Sequence, residues 1–290
     1  MNSLTKIYSS NQLRDYSSLF SRSTVLEWLR GDLSSIDFKV NRYDQIWLSK
    51  GRKRYLDYLK YVYNILENNY QNEYILKNSF LNDWLIKELG ESQSQVFSEF
   101  KVGNAIADLV MFNGVSKVFE IKTEMDSDKR LNTQLEQYRK AFNQIYLIIP
   151  TSKLRLYLKY DKSIGIITFD NNKSERFDLK RKAINNAVVE PRTLMHVFHS
   201  KEYKEVVKKF FGKMPKMTSF NQFSICSGLI EDIPNNKLNE LFIAQMKKRG
   251  NKNVLSKKNH SEFNQLSLAL KMNSQNRKQF FSILKSPLIS

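Results

Sequence analysis

Asp108 stands inside a short apolar segment, Ile106 to Phe112, and after eleven intervening residues Glu120-Ile121-Lys122 follows in a second one. If both segments are strands, alternation puts Glu120 and Lys122 on one face and turns Ile121 to the other. Two carboxylates and an amine at one edge of a sheet are costly unless something pairs them. A divalent metal is one solution. Mg²⁺ takes hard oxygen ligands, keeps several waters, and is commonly held by one or two carboxylates plus substrate phosphate oxygens. The amine would then orient or help deprotonate a water and offset charge developing at phosphorus. The other solution is internal, with Lys122 neutralising Asp108 or Glu120 as a salt bridge. A D…ExK spacing arises often by chance, so the residues alone leave both open.

The elements around these residues must place them together. Val96, Ser98, Phe100 and Val102 alternate with Phe97, Glu99 and Lys101, Gly103-Asn104 breaks the run, and Asn113-Gly114 is a hairpin signal between the two segments. A two-residue turn there would pair Asp108 with Phe119 and throw Glu120 to the opposite face. A shared site therefore requires a three- or five-residue loop, or a bulge. From Asp128 to Gln144 the period becomes helical, with Leu131, Leu135, Tyr138 and Phe142 on one stripe, and Ile145 to Ile149 reads as a buried strand closed by Pro150. Ile164 to Phe169 adds a further strand. Strand, strand, strand, helix, strand predicts an α/β core whose last strand lies parallel to its neighbour. Helices are predicted at Thr24 to Arg30, Arg52 to Asn69 and Glu73 to Leu89, the last stopped by Gly90, and again beyond about residue 185. The chain divides on this reading into a helical region 1–70, an α/β core 71–185 and a basic, mostly helical region 186–290.

Asp108, Glu120-Ile121-Lys122 and a following helix with Gln134 and Tyr138 resemble the PD-(D/E)XK nuclease superfamily. The segment FEIKTEMDSDKRLNTQLEQYRKAFNQIYLIIP is similar to a mostly uncharacterised bacterial and phage branch, with Asp126, Arg130-Leu131, Gln134 and Tyr138 at its signature positions. YQNEYILKN resembles that branch's N-terminal helix, and the likeness covers about residues 70 to 170. Asp108 follows Ala107, so the literal Pro-Asp pair is absent. The resemblance implies a restriction-endonuclease-like core, a mixed sheet flanked by helices, with helical regions at both ends. It implies that Asp108 and Glu120 hold Mg²⁺, for which Mn²⁺ substitutes, with the Ile121 carbonyl and Glu73 as further ligands. Lys122 would position the water and Gln134 would brace the site. Glu99 competes with Glu73 as third acid, an exposed cross-strand charge being its simpler role. Glu124, Asp126 and Asp128 follow the motif, the last explained by helix capping. The implied activity is phosphodiester hydrolysis in DNA, in phage defence, restriction or a toxin-like role under a regulatory or inhibitory protein partner. The alternative is a non-catalytic nucleic-acid-binding or protein-interaction module on the same fold.

Composition narrows the partners. Lys and Arg number 47 against 29 Asp and Glu, a net charge of +18, which draws polyanions and nucleic acid first among them; DNA is favoured over RNA by the resemblance. Residues 247 to 258 read KKRGNKNVLSKK. Lys247, Lys248, Arg249, Lys257 and Lys258 either contact phosphates or form a solvated face. One cysteine, Cys226, with His196, His199 and His260, cannot supply the ligand sets of zinc fingers, zinc proteases or zinc deaminases. With no apolar run of membrane length and no secretory signal, the expected location is cytoplasmic and off the membrane. The oligomeric state is left open.

Overall fold

The computed structural model describes residues 7–70, 72–89, 94–124, 126–249, 255 and 259–288. Two compact units form, one from Met1–Asn82 with Asn251–Ser290, the other from Asp83–Gly250. This division runs across the three sequence segments, because residues 251–290 belong with the N-terminal helices and the helices of 186–249 belong with the sheet.

The first unit is helical among its described residues. Its helices include Ser10–Ser18, Arg22–Leu29, Ser34–Tyr43, Tyr55–Asn69, Glu73–Phe80, Asn264–Ala269 and Ser274–Leu284. Side chains of Ser9, Ser21, Asn72 and Asn273 accept N–H bonds at four of the N-termini, which a helix start needs for its unpaired donors. The apolar faces meet around Tyr16, Trp28, Tyr58 and Phe280, all essentially solvent-free. Buried Asp44 accepts from the hydroxyls of Tyr16 (2.6 Å), Tyr58 (2.9 Å) and Tyr61 (3.2 Å). The helix predicted to run from Glu73 to Leu89 is instead Glu73–Phe80, a π-helical turn Leu81–Leu85 and a short turn Ile86–Glu88. Gly90 lies outside the described residues.

The second unit is built on a mixed six-stranded sheet in the order β1 (Gln95–Val102), β2 (Ala105–Phe112), β3 (Ser116–Ile121), β4 (Gln144–Pro150), β5 (Gly165–Phe169), β6 (Phe177–Arg181). Pairing is antiparallel across β1/β2, β2/β3 and β5/β6, and parallel across β3/β4 and β4/β5. The helix Leu131–Arg139 supplies the crossover that a parallel β3/β4 pair requires. Apolar residues of that helix, of the sheet and of the helices Pro191–Val197, Ser200–Phe211, Gln222–Glu231 and Asn235–Arg249 share one cluster. The Phe242 ring, for example, meets Phe112 of β2 edge-on at 5.5 Å.

Alternation does not run unbroken through β1 and β2. Ser98 pairs with Leu109 and Phe100 with Ala107, but Glu99 and Asp108 are skipped in the register. Glu99 has φ 53, in the left-handed region. Phe97 before it, and Phe100 and Val102 after it, all turn to the same cluster; so do Ala107 before Asp108 and Val110 after it. Both strands therefore invert at this point, as at a bulge. Asp108 sits at the inversion.

Candidate functional site

Phe112 pairs with Ser116, so the β2–β3 loop has the three residues Asn113, Gly114 and Val115. Gly114 supplies the φ of +110 that the turn needs, and the Asn113 N–H reaches the Val115 carbonyl at 3.2 Å. With Leu109 opposite Phe119, continuation of the register brings Asp108 opposite Glu120. The odd loop thus satisfies the condition that a shared face imposes.

β3 is anchored on both sides. The Ile121 N–H donates to Asp108 Oδ2 at 2.8 Å, and the Lys122 N–H to the Ile148 carbonyl of β4 at 2.9 Å. Buried Asn143 locks the start of both strands, its Oδ1 receiving the Ser116 N–H (3.0 Å) and hydroxyl (2.9 Å).

Glu120 is 3% exposed and Lys122 7%. The Lys122 ammonium donates to Glu120 Oε1 at 2.9 Å and to Gln134 Oε1 at 3.2 Å, while Gln134 Nε2 donates to the same Glu120 oxygen at 2.8 Å. The Tyr138 hydroxyl lies 2.8 Å from Glu120 Oε2 and 3.1 Å from the Ile106 carbonyl. Gln134 and Tyr138 are one turn apart on the Leu131–Arg139 helix, so a single helix face closes over the carboxylate. Burial raises the Glu120 carboxyl above its usual range, the Asp108 charge adds to this, and Lys122 opposes it. Burial first and the Glu120 charge second hold the Tyr138 hydroxyl well above its ordinary value, so it stays protonated and donates.

Asp108, Glu120, Lys122 and Gln134 are therefore brought together, and Ile121 contributes its N–H there. Glu73 belongs to the first unit, where it pairs with Lys77 at i,i+4. Glu99 is exposed. The acids after the motif are taken up locally. Asp126 Oδ2 accepts from the Thr123 N–H (2.7 Å) and hydroxyl (2.8 Å), Asp128 accepts from the Tyr157 hydroxyl, and Ser152 donates to Glu124. The capping role expected of Asp128 falls to Ser127, whose hydroxyl receives the Lys129 N–H. Tyr138, which the sequence places on an apolar stripe and at a signature position without a role of its own, is a principal partner of Glu120. Its spacing of four from Gln134 was the available signal.

In the basic run, Arg249 is committed to the fold. Its Nε donates to Glu202 Oε1 at 2.7 Å and its Nη2 to the Val197 carbonyl at 2.8 Å. Lys248 lies 3.6 Å from Glu205, Lys247 is half-buried, and Lys257 and Lys258 fall outside the described residues.

Protein donors reach both Glu120 oxygens, Lys122 and Gln134 at Oε1 and the Tyr138 hydroxyl at Oε2. Among the described residues no group of three or more His, Cys, Asp or Glu stands together as a metal cage.

A family model described as bacteriophage P4 protein cII matches residues 66–272. Protein cII of Enterobacteria phage P4 is 32% identical over 106 residues, which are 35% of this chain and 40% of that protein. The chain thus matches well under two thirds of the relative's length. A solved structure, the SPO1766 protein of unknown function from Silicibacter pomeroyi, aligns at a TM-score of 0.29 and 11% identity over 44% of this chain and 86% of that one, too distant to bear on the fold. The family match overturns the assignment to PD-(D/E)XK nucleases, since it spans the very segment that carried that resemblance. The metal-dependent nuclease, hydrolase and phage-defence readings fall with it. A D…ExK spacing is equally compatible with a buried ion pair inside the ExK strand, and the Lys122–Glu120 pair is the one observed.

No helix among the described residues is long and apolar enough to cross a membrane.

Proposed function

The chain belongs to the bacteriophage P4 protein cII family, and from that premise we propose that it is a non-catalytic module that binds nucleic acid in the cytoplasm. The observation that carries the reading is the closure of the Glu120 network. Lys122, Gln134 and Tyr138 satisfy the carboxylate from within, so the polar cluster pins β3 to the following helix and serves the fold. Partner choice then rests on the surface, and a net charge of +18 favours a polyanion over other partners. DNA is the first ligand to try.

The test is a binding titration of the full chain against DNA and RNA at several salt concentrations, with Mg²⁺ or with EDTA, followed by gels of the recovered nucleic acid. Binding should weaken steeply as salt rises, because each phosphate contact releases counterions. It should be unchanged by EDTA, and the nucleic acid should be recovered intact. Absence of binding at low salt, or cleavage that Lys122→Ala removes, defeats the reading.

A further inference from the structure

Between Val206 and Ile230 the sequence holds four lysines, four phenylalanines and no acidic residue. The helix Ser200–Phe211 buries Tyr203, Val206 and Val207, then turns Lys208, Lys209, Phe210 and Phe211 outward at its end. Gly212 closes it with φ 75. Met214 and Met217 pack against the core of the unit, while Lys213 and Lys216 between and beside them stay exposed. Phe220 is 98% exposed and Phe223 42%.

Phe220 is presented by a built turn. Asn221 Oδ1 accepts from the Thr218 N–H (2.7 Å) and hydroxyl (3.1 Å), and the Gln222 N–H donates to the Thr218 carbonyl at 3.1 Å. Phe223 beyond it rests against His196 and Tyr203. Among the described residues none of the four lysines has an ion-pair partner. Exposed aromatic side chains within a few residues of cations that have no ion-pair partner suit one kind of ligand well. Every base has a flat face that stacks on an aromatic ring, and the backbone joining the bases supplies a phosphate for each cation.

We propose that the Lys208–Phe223 surface binds single-stranded nucleic acid, with Phe220 as a stacking platform and Lys213 and Lys216 on the phosphates. The proposal rests on the nucleic-acid-binding reading above and adds the strand state and the surface. A duplex hides its base faces and would leave Phe220 without a partner. A helix that lies on lipid needs one continuous apolar face opposite a charged one; here the lysines and phenylalanines are spread over a helix end, a turn and the next helix start.

The experiment follows fluorescence anisotropy of labelled oligothymidine, oligouridine and a DNA duplex of equal length with the full chain. Phe220→Ser, Phe220→Trp and Lys213→Gln/Lys216→Gln are compared with the parent, and sedimentation with phosphatidylserine-containing vesicles runs alongside. Single strands should bind more tightly than duplex. Phe220→Ser should weaken them about tenfold or more, and Phe220→Trp should retain binding. The lysine pair should lower the salt slope on single strands by about 0.7 for each phosphate no longer engaged. Oligothymidine and oligouridine both depending on Phe220 supports a site for the shared chemistry; one alone doing so assigns the strand type. If the parent binds nucleic acid but Phe220→Ser binds equally well, the surface is not the site and the proposed function stands. If the parent binds no nucleic acid, that function fails and the inference with it. Vesicle binding lost in Phe220→Ser, without an effect on oligonucleotides, overturns the inference in favour of a lipid surface.

Discussion

Removing Lys122 distinguishes a bracing ion pair from a catalytic one. A residue kept for catalysis contributes little to stability when truncated, whereas a buried partner leaves an uncompensated charge behind. In Lys122→Ala the Glu120 carboxylate, 3% exposed, would keep only the neutral donors Gln134 and Tyr138. The expected loss is about 3–5 kcal/mol of unfolding free energy, read from denaturant midpoints. Replacing both members, Glu120→Gln with Lys122→Met, should recover most of it, since no buried charge is then left unpaired. An unchanged midpoint in Lys122→Ala would remove the bracing role. The same carboxylate sets a pH dependence. Its folded-state value is raised, by burial first and then by Asp108, above the ordinary 4.5 of an exposed chain. The folded protein therefore holds this proton to higher pH than the unfolded one. The group's contribution is fully present below about pH 4.5 and declines as pH rises through the folded value. Glu120→Gln should flatten the stability profile across that window, which urea titrations at successive pH values would show.

Helix ends are tied together by the pair Arg249–Glu202, each less than one-fifth exposed. Glu202 Oε2 also receives the His199 N–H at 2.7 Å, so one carboxylate caps the Ser200–Phe211 helix and holds the end of Asn235–Arg249. Burial pulls the Glu202 carboxyl upward, but Arg249 and the His199 N–H outweigh it, and the net direction is down. That stability is present above the ordinary Glu value and is lost as pH falls through the lowered one. Arg249→Gln should cost roughly 1.5–3 kcal/mol near neutral pH, the scale of a hydrogen-bonded charge, with a smaller difference in acid. Thermal melts at two pH values would test it. Elements with a strong local signal, β1 to β5 and the crossover helix, were legible from alternation, short apolar runs and the turn residues between them. The odd hairpin loop was legible as a condition, because the parity of Asp108 and Glu120 demanded it. β6 escaped because only Phe177 in it is buried, leaving no clear alternation. The inversion at Glu99 escaped because a left-handed φ at a glutamate has no composition signal. The motif itself misled because two strand carboxylates with a nearby lysine look alike whether a cation or the lysine balances them. What decided between the readings was the family match over residues 66–272, which no spacing of three residues could anticipate.

At the scale of the whole chain, two hydrophobic cores imply two folding units, and their chain composition differs. The core of the sheet unit draws all its buried residues from 100–246, so Asp83–Gly250 contains everything its cluster uses. The helical unit is discontinuous: Tyr16, Trp28 and Leu59 share a cluster with Phe263, Leu266, Phe280, Phe281 and Leu284 from the other end of the chain. Aromatic contacts show how deep that dependence goes, with Trp28 stacked on Phe280 at 6.4 Å and Phe20 against Phe263 at 6.2 Å. Cutting away residues 251–290 would expose those rings and open cavities around them, a loss of several large core side chains at about 3–5 kcal/mol each, more than a domain's whole margin of about 5–15 kcal/mol. A fragment Asp83–Gly250 should therefore unfold cooperatively by circular dichroism and keep its near-ultraviolet signal. A fragment of residues 1–82 should show little fixed tertiary structure alone, and should gain it when a peptide of residues 251–290 is added in trans. The gain should depend on peptide concentration and vanish when Phe280 and Phe281 are both changed to Ala, because the peptide's contribution is burial of those rings against the N-terminal helices. Cooperative unfolding of 1–82 by itself would mean that its helices find a sufficient core without the C-terminal segment, and would overturn the division of the chain given by its packing.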